Sequence, residues 1–360
     1  MHSIFWTRLQ RLYEEDKDVH SVSLLNMKAM LLRETAMLAQ NPTPLSFHDL
    51  PEPKIDAGEV LIRVTACGVC RTELDEIEGR IKPRLPIVLG HQVVGVIEEG
   101  ENISQRVGVA WIASTCGSCP HCLSGDENLC TEFKATGRDM DGGYAEYMKV
   151  RADFVHPIPD SFSDSEAAPL LCAGAIGYRS LRLSNLQDGQ SLGLMGFGGS
   201  NHLVLKLAKH KFPKSNIFVF SRNPEEREFA LSLGAAWAGM IDQSPLEALD
   251  AVIDTTPVWG PVSEALKRIK PGGRIVVNAI RKEESDKEVL MKLDYPSQLW
   301  MEKEVKSVAN VTRADVREFL QIAAQANIKP EFQEYELKDA NQALVEMKQG
   351  KIRGSKVLRM

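Results

Sequence analysis

Four cysteines lie within fifteen consecutive positions, at Cys116, Cys119, Cys122 and Cys130. Their spacers of two, two and seven residues allow four thiolates to surround one tetrahedral zinc ion. A complete shell leaves no open coordination position, so we expect a structural zinc that fixes a loop with little apolar core. Disulfides, and a zinc ribbon that binds nucleic acid, are the alternatives that this spacing leaves open.

The composition of the chain argues against the zinc ribbon that binds nucleic acid. The chain has 360 residues and a formal net charge of −6, and the segment CLSGDENLC within the cysteine cluster is acidic. A nucleic-acid binder needs a basic surface that displaces phosphate counterions, so no nucleic-acid partner is expected. No apolar run approaches the roughly 20 residues that a bilayer span requires, so no membrane partner is expected either.

The chain divides into three regions. Residues 1–27 predict an N-terminal extension rather than a secretory signal, because Arg8, Arg11 and Glu14 interrupt its apolar residues, and a cytoplasmic location follows. Residues 28–173 are rich in short Val/Ile runs bounded by Gly, Pro and Asp, which predicts a β-rich domain. Residues 174–309 alternate strands and helices, which predicts a doubly wound parallel sheet, and residues 310–360 follow it.

Within the alternating region, four apolar segments predict strands: SLGLMG, NIFVFS, DAVIDT and RIVVNAI. The segment WGPVSEALKRIK predicts a helix, followed by a turn at PGG. Asn223 and Pro224 predict the start of another helix, since Asn caps helices and Pro suits their first position. TRAD predicts a helix start after residue 309, and KVLRM predicts a final strand.

Three further residues, Cys70, His91 and Cys172, could hold a second metal ion. Their local sequences are CGVCRTELD, PIVLGHQVVG and AAPLLCAG. With the four-cysteine segment, DGGYAEY, the GFGG turn and KSVANVTRAD, these strings resemble the zinc-dependent medium-chain alcohol dehydrogenase family from about residue 27 to the last residue. The resemblance implies an α/β chain with a GroES-like catalytic domain, completed by 310–360, and a Rossmann dinucleotide-binding domain over 174–309.

The resemblance assigns Cys70, His91 and Cys172 as ligands of a catalytic zinc, which makes two zinc ions per chain. Two thiolates and one imidazole leave a fourth position open for a substrate oxygen. The family match makes Cys67 a neighbour that is not a ligand, although CGVC alone could also be a redox pair. Thr72 matches the hydroxyl that begins the family's proton relay, and Arg71 matches a residue near the cofactor pyrophosphate.

Three positions differ from the common family pattern. Asp75 stands where a histidine often ends the proton relay, and we expect it to take that role. Glu73 stands where an aspartate usually supports the histidine ligand, and Gln92 replaces a glutamate that usually follows that histidine. We expect these differences to alter the pH profile and the rate of turnover but not the class of reaction.

The predicted cofactor turn comprises Gly196, Gly198, Gly199 and Ser200, between a strand and a helix. Glycines in this context let a pyrophosphate approach the helix N-terminus, although Asn201 replaces the last glycine of the pattern. The next strand ends in Ser221 and Arg222, with no acid for the adenosine ribose of NAD. A hydroxyl and a guanidinium suit a 2′-phosphate, so NAD(P) is expected, with a preference for NADP.

Trp111 resembles the bulky residue that narrows the pocket in relatives acting on short alcohols, although it could equally belong to the core. We expect a small primary alcohol and its aldehyde or ketone as substrates. The alternatives are a polyol or amino-alcohol dehydrogenase and a non-enzymatic relative that retains only the structural zinc. By resemblance, a homodimer or homotetramer built through the nucleotide-binding domains is expected.

Overall fold

The computed structural model describes residues 26–243, 247–351 and 353–360. The predicted N-terminal extension therefore lies almost entirely outside the described residues. The strands in chain order are β1 (Asn26–Leu32), β2 (Leu45–Pro51), β3 (Glu59–Val69), β4 (Ile87–Val88), β5 (Gln92–Glu99), β6 (Arg106–Val109), β7 (Ile112–Ser114), β8 (Lys134–Ala135), β9 (Tyr147–Arg151), β10 (Val155–Pro157), β11 (Ser191–Met195), β12 (Asn216–Phe220), β13 (Trp237–Gly239), β14 (Leu249–Asp254), β15 (Ile269–Val277), β16 (Glu304–Ser307), β17 (Phe332–Glu336) and β18 (Ser355–Arg359).

The helices are distributed over both regions of the chain. They are α1 (Arg71–Ile77), α2 (Pro120–Leu123), α3 (Asp164–Pro169), α4 (Ala175–Leu183), α5 (Asn201–Lys211), α6 (Pro224–Ser232), α7 (Gly260–Arg268), α8 (Tyr295–Gln298), α9 (Arg313–Gln325) and α10 (Ala340–Lys348). Between α3 and α4 the backbone forms a π-helical turn, Leu170–Gly174. Such turns are rare and are frequently found at functional sites.

The β-rich region is built on a seven-stranded sheet with the order β10-β6-β5-β3-β18-β17, in which β9 also pairs with β3. Here β3 is antiparallel to β5, so Gly68 pairs with Gln92 and the end of β3 lies beside the residue that follows His91. The last strand, β18, is antiparallel to β3, with Lys356 opposite Val69. The C-terminal strands thus share a sheet with the first part of the chain.

The second region forms a six-stranded sheet with the order β13-β12-β11-β14-β15-β16, in which every pairing is parallel. Each of the five residues of β11 is buried, as expected for a strand covered by helices on both faces. The predicted helix start at TRAD is confirmed, because Thr312 and Asp315 form a capping box at the start of α9. The predicted fold class, a GroES-like domain with a Rossmann domain, is confirmed.

Two details differ from the sequence prediction. Strand β1 begins at Asn26, and Met27 is buried opposite Leu50. Asn26 and Met27 therefore belong to a sheet rather than to the predicted extension. The predicted PGG turn lies inside β15, where Gly272 has a φ of +71° beside an irregularity in the register with β14. Two short strands, β13 and β16, were not predicted. Among the described residues, no helix is both long and apolar enough to cross a bilayer.

Candidate active site and metal centres

The four cysteines of the first cluster converge. One ligand atom from each of Cys116, Cys119, Cys122 and Cys130 lies within 4.8 Å of the others, a grouping that could hold a metal ion. The Sγ atoms of Cys119 and Cys122, and those of Cys116 and Cys130, are each 3.5 Å apart. Backbone N–H groups of Ser118 and Cys119 lower the pKa of Cys116 to about 6, which favours the thiolate that binds metals. None of the seven cysteines forms a disulfide in the described structure, which opposes the disulfide alternative.

The cysteine loop is attached to the rest of the chain through polar contacts. A guanidinium nitrogen of Arg313, in α9, lies 2.6 Å from a carboxylate oxygen of the nearly buried Glu127. Asn128 donates a 2.6 Å hydrogen bond to the carbonyl of Ala309. A metal ion in this loop would therefore fix a segment that contacts the chain where the second region ends and the C-terminal region begins.

Cys70, His91 and Cys172 form the second convergent set, again with ligand atoms within 4.8 Å of one another. His91 Nε2 is 3.3 Å from Cys172 Sγ. Cys70 caps α1 at the end of β3, His91 precedes β5, and Cys172 projects from the π-helical turn. The hydrogen bond between the two thiols lowers the pKa of Cys70 and raises that of Cys172, so Cys70 is the thiol of the pair that ionises more readily.

Glu73 supports this set from behind. Its Oε1 lies 2.6 Å from His91 Nδ1, and its Oε2 accepts a 2.7 Å hydrogen bond from the backbone N–H of Cys70. Burial alone would lower the pKa of His91, but the charge of Glu73 and the hydrogen bonds of Cys70 and Glu73 raise it. Contact at Nδ1 leaves Nε2 directed at the other two ligand candidates, the arrangement that orients metal-binding histidines.

Another buried carboxyl group, that of Glu76, lies one helical turn beyond Glu73. Glu76 is fully buried, and neither of its carboxyl oxygens has a hydrogen-bond partner among the described residues. Burial, followed by the negative charge of Glu73, raises its pKa. No sequence signal distinguished this glutamate, because exposed glutamates are common in helices.

Cys67 lies outside both sets. Its side chain is fully buried, and burial raises the pKa of its thiol. Reactive redox cysteines have a low pKa and partial exposure, so these properties oppose the redox-pair alternative. A Cβ added at Gly90 would lie 2.9 Å from its sulfur, so this thiol fills a closely packed part of the core.

The relay candidates occupy the first two turns of α1. Thr72 Oγ1 lies 3.7 Å from Cys70 Sγ, at the edge of the ligand set, and Arg71 is exposed. Asp75 Oδ1 accepts hydrogen bonds from Arg80 at 2.5 Å and from Arg281 at 2.9 Å. Because Arg281 follows β15, the second contact joins the two domains. The relay role of Asp75 stays a prediction.

Trp111 lies beside the ligand set. Its ring is 6.5 Å from that of His91, edge to face, and 5.3 Å from that of Phe133. The guanidinium of Arg138 lies 5.2 Å above the same ring. The indole is partly buried and packs against the candidate ligand His91, so its position suits a pocket wall.

The predicted cofactor turn links the two domains. Gly196 has a φ of +75°, and a Cβ at Gly199 would lie 3.3 Å from the carbonyl of Gly354. Ser200 donates a 2.9 Å hydrogen bond to the carbonyl of Ala173, next to Cys172. The turn therefore contacts the segment that carries a metal-ligand candidate.

Asn201 replaces the third glycine without opening the turn. It is fully buried, and its Nδ2 donates to the carbonyls of Met195 and Gly196 at 3.1 and 2.8 Å. The amide thus joins the start of α5 to the end of β11 from inside the turn. This contact explains why the departure from the glycine pattern is tolerated.

The end of β12 contains a carboxylate that the sequence analysis missed. Ser221 donates a 2.5 Å hydrogen bond to Glu226, while Arg222 is exposed. Asn223 followed by Glu226, at the third position of α6, is a capping pattern in which the acid turns back toward the preceding residues, and this pattern was the available signal. Arg353 was also missed: its guanidinium lies 4.9 Å from the Phe229 ring, one residue before Gly354.

Comparison with known proteins agrees with this architecture. The family profile of the alcohol dehydrogenase GroES-like domain matches residues 56–160. Over 352 residues the chain is 40% identical to the probable alcohol dehydrogenase AdhA of Mycobacterium tuberculosis, which covers 94% of this chain and 99% of that protein. Over 345 residues it is 34% identical to an alcohol dehydrogenase of Geobacillus stearothermophilus, which covers 91% and 99%.

Solved structures share the fold. A cinnamyl alcohol dehydrogenase of Sorghum bicolor superposes with a TM-score of 0.79 at 25% identity, covering 93% of this chain and 98% of that one. The CAD protein of Helicobacter pylori complexed with NADP(H) gives a TM-score of 0.81 at 22% identity, covering 93% and 98%. A GroES-like domain joined to a Rossmann domain defines the architectural class. The chain belongs to the medium-chain alcohol dehydrogenase family.

Proposed function

We propose that this chain is a zinc-dependent oxidoreductase that interconverts a small, primary alcohol and its aldehyde or ketone, using NAD(P). The observation that carries the proposal is the convergence of Cys70, His91 and Cys172, with ligand atoms within 4.8 Å, beside the cofactor turn. Family membership and the names of the relatives, both alcohol dehydrogenases, support the same reaction class.

The donor sets fit zinc. Four thiolates suit a structural ion, whereas two thiolates and one imidazole suit a catalytic ion with an open position. A zinc ion in the second set would polarise the substrate oxygen and lower the pKa of the alcohol. Glu73 would hold the imidazole of His91 with Nε2 directed at the ion, and Trp111 would limit the width of the pocket.

The remaining residues serve the cofactor and the proton. Bound NAD(P) would accept or supply the hydride. Gly196, Gly198, Gly199 and Ser200 would accommodate its pyrophosphate at the start of α5, with Arg71 and Arg353 as neighbouring positive charges. Arg222, exposed at the end of β12, supports a preference for NADP. Thr72 would pass the alcohol proton away from the metal site, toward Asp75.

Metal analysis of purified variants tests the two-zinc arrangement. We expect two zinc ions per wild-type chain and one in Cys172→Ser, together with loss of turnover. Cys122→Ser should also lose one zinc, and its main defect should be lower stability. Cys67→Ala is the matched control, because this buried cysteine lies outside both sets and both ions should remain.

An alcohol panel with NAD and NADP tests the reaction. We expect oxidation of ethanol or butanol that stops in Cys172→Ser and persists in Cys67→Ala. A protein that holds only the four-cysteine zinc and transfers no hydride with any alcohol, polyol or aldehyde would contradict the proposal. That result would favour the non-enzymatic alternative.

A further inference from the structure

The hydroxyl of Ser221 is fully engaged at the end of β12. It donates its single proton to Glu226 Oε2 at 2.5 Å and accepts from the backbone N–H of Asn223 at 3.2 Å. Ser221 is also nearly buried. Its hydroxyl therefore cannot donate to a cofactor phosphate unless it first leaves Glu226, contrary to the role that the sequence predicts for it.

The start of α6 determines this arrangement. Asn223 caps the helix, and its side chain accepts a 2.9 Å hydrogen bond from the N–H of Glu225. In a capping box, the acid at the third helical position accepts from the N–H of the cap residue. Here Ser221 takes that N–H, so the carboxylate of Glu226 binds the serine hydroxyl instead and faces the end of the strand.

This position adjoins the cofactor turn. The N–H of Gly196 donates a 2.8 Å hydrogen bond to the carbonyl of Phe220, immediately before Ser221. In Rossmann domains the end of the second strand faces the adenosine ribose of the bound dinucleotide. Glu226 therefore brings a carboxylate to the corner where NAD and NADP differ.

The charges at this corner have opposite signs. Within the described part of the chain, the hydrogen bond from the neutral Ser221 hydroxyl is the only one that the Glu226 carboxylate accepts, so its negative charge has no cationic partner. Arg222 is exposed at the same strand end. Arg227 donates to the carbonyls of Ser221 and Arg222 at 2.9 and 3.0 Å, and so holds the backbone of this segment.

We propose that Glu226 is a specificity-determining residue for the cofactor. Its carboxylate accepts a hydrogen bond from the ribose 2′-hydroxyl of NAD(H) and repels the 2′-phosphate of NADP(H), so it opposes the attraction of Arg222. The inference depends on the proposed function, because it requires a nicotinamide dinucleotide in the cleft. It adds a residue that limits the preference for NADP.

Fluorescence titration with NADPH and NADH tests the proposal without measuring turnover. Titration with ADP-ribose and with 2′-phospho-ADP-ribose tests the adenosine end of the cofactor alone. In Glu226→Gln we expect NADPH to bind about tenfold more tightly and NADH to bind a few-fold more weakly, since one negative charge near the phosphate is removed. The matched control is Glu225→Gln, which removes an exposed charge from the same helical turn and should change neither affinity by more than about twofold.

Two further variants separate charge from hydrogen bonding. Ser221→Ala keeps the carboxylate of Glu226 and should not gain NADPH affinity. Arg222→Ala removes the positive charge and should bind NADPH more weakly. An unchanged ratio of NADPH to NADH affinity in Glu226→Gln would overturn the inference while leaving the proposed function intact. Failure of wild-type protein to bind either dinucleotide would refute both.

Discussion

The carboxylate of Glu73 lies 2.6 Å from Nδ1 of His91 while also accepting the N–H of Cys70, so one buried side chain positions two metal-ligand candidates. The family pattern has the shorter aspartate at this position. The longer glutamate still reaches the imidazole, because it is at the third position of α1 and Cys70 is the cap residue of the same helix.

Replacing Glu73 should selectively weaken metal binding at the proposed catalytic zinc site. In Glu73→Gln we expect affinity for one of the two proposed zinc ions to fall about 10–100-fold, because the partner of the candidate ligand His91 loses its charge. Chelator competition monitored by zinc release measures the effect. Glu73→Asp should retain most of the affinity, and simultaneous loss of both ions in Glu73→Gln would indicate general unfolding instead.

Asp75 has two testable roles. If it ends the proton relay, Asp75→Asn should change the pH dependence of kcat, because an amide cannot accept the proton. Arg281→Ala keeps the carboxylate but removes the contact between the domains, so it should raise KM for the cofactor and leave the pH profile in place. Identical pH profiles for wild type and Asp75→Asn would contradict the relay.

Trp111 should limit substrate size. Its ring contacts His91 and Phe133, so Trp111→Ala opens space beside the ligand set. We expect the ratio of kcat/KM for benzyl alcohol to that for ethanol to rise about tenfold, the scale of discrimination that hydrophobic pockets achieve. Trp111→Phe should give an intermediate ratio. An unchanged ratio would assign Trp111 to the core.

His156 should make the fold sensitive to acid. It is fully buried in β10, and burial, followed by the charges of Arg317 and Arg313, lowers its pKa from 6.5 to about 3. Between about pH 3 and pH 6.5, His156 therefore binds a proton in the unfolded chain but stays neutral in the folded chain. Stability should fall across that interval as the pH decreases, by up to about 1.4 kcal/mol per pH unit from this group.

Urea unfolding at several pH values measures this contribution. In His156→Leu the free energy of unfolding should depend less steeply on pH below 6.5 than in wild type, by about one proton. Parallel curves for the two proteins would show that His156 is not the responsible group.

The sequence predicted the fold where patterns are local. Strands β11, β12 and β14 are continuous apolar segments bounded by turn residues, and the start of α9 has its own capping residues. The cysteine spacing is local too, which is why that set is the sharpest motif. Cys70, His91 and Cys172 are far apart in the chain, so the resemblance rather than their spacing brought them together.

Contacts between distant or unremarkable residues could not be predicted. The pair Asp75–Arg281 joins residues separated by 206 positions, and no pattern in α1 indicates it. Ser221 and Glu226 are close in sequence, yet the direction of the glutamate depends on which acceptor takes the N–H of Asn223. Such alternatives are decided by packing and hydrogen bonding in the folded chain.

Strand β16 should mediate the predicted oligomer. It lies at an edge of the parallel sheet, and all four of its residues are exposed, with Val305 47% exposed and Trp300 57% exposed nearby. An exposed edge with apolar side chains is a template for pairing with another chain, so we expect two nucleotide-binding domains to associate there. Val305→Lys should shift the protein toward monomers in light scattering, because it introduces a charge that pairing would bury. Ile103→Lys, at an exposed position in the β-rich domain, is the control and should leave the mass unchanged. Equal masses for wild type and Val305→Lys would place the interface elsewhere.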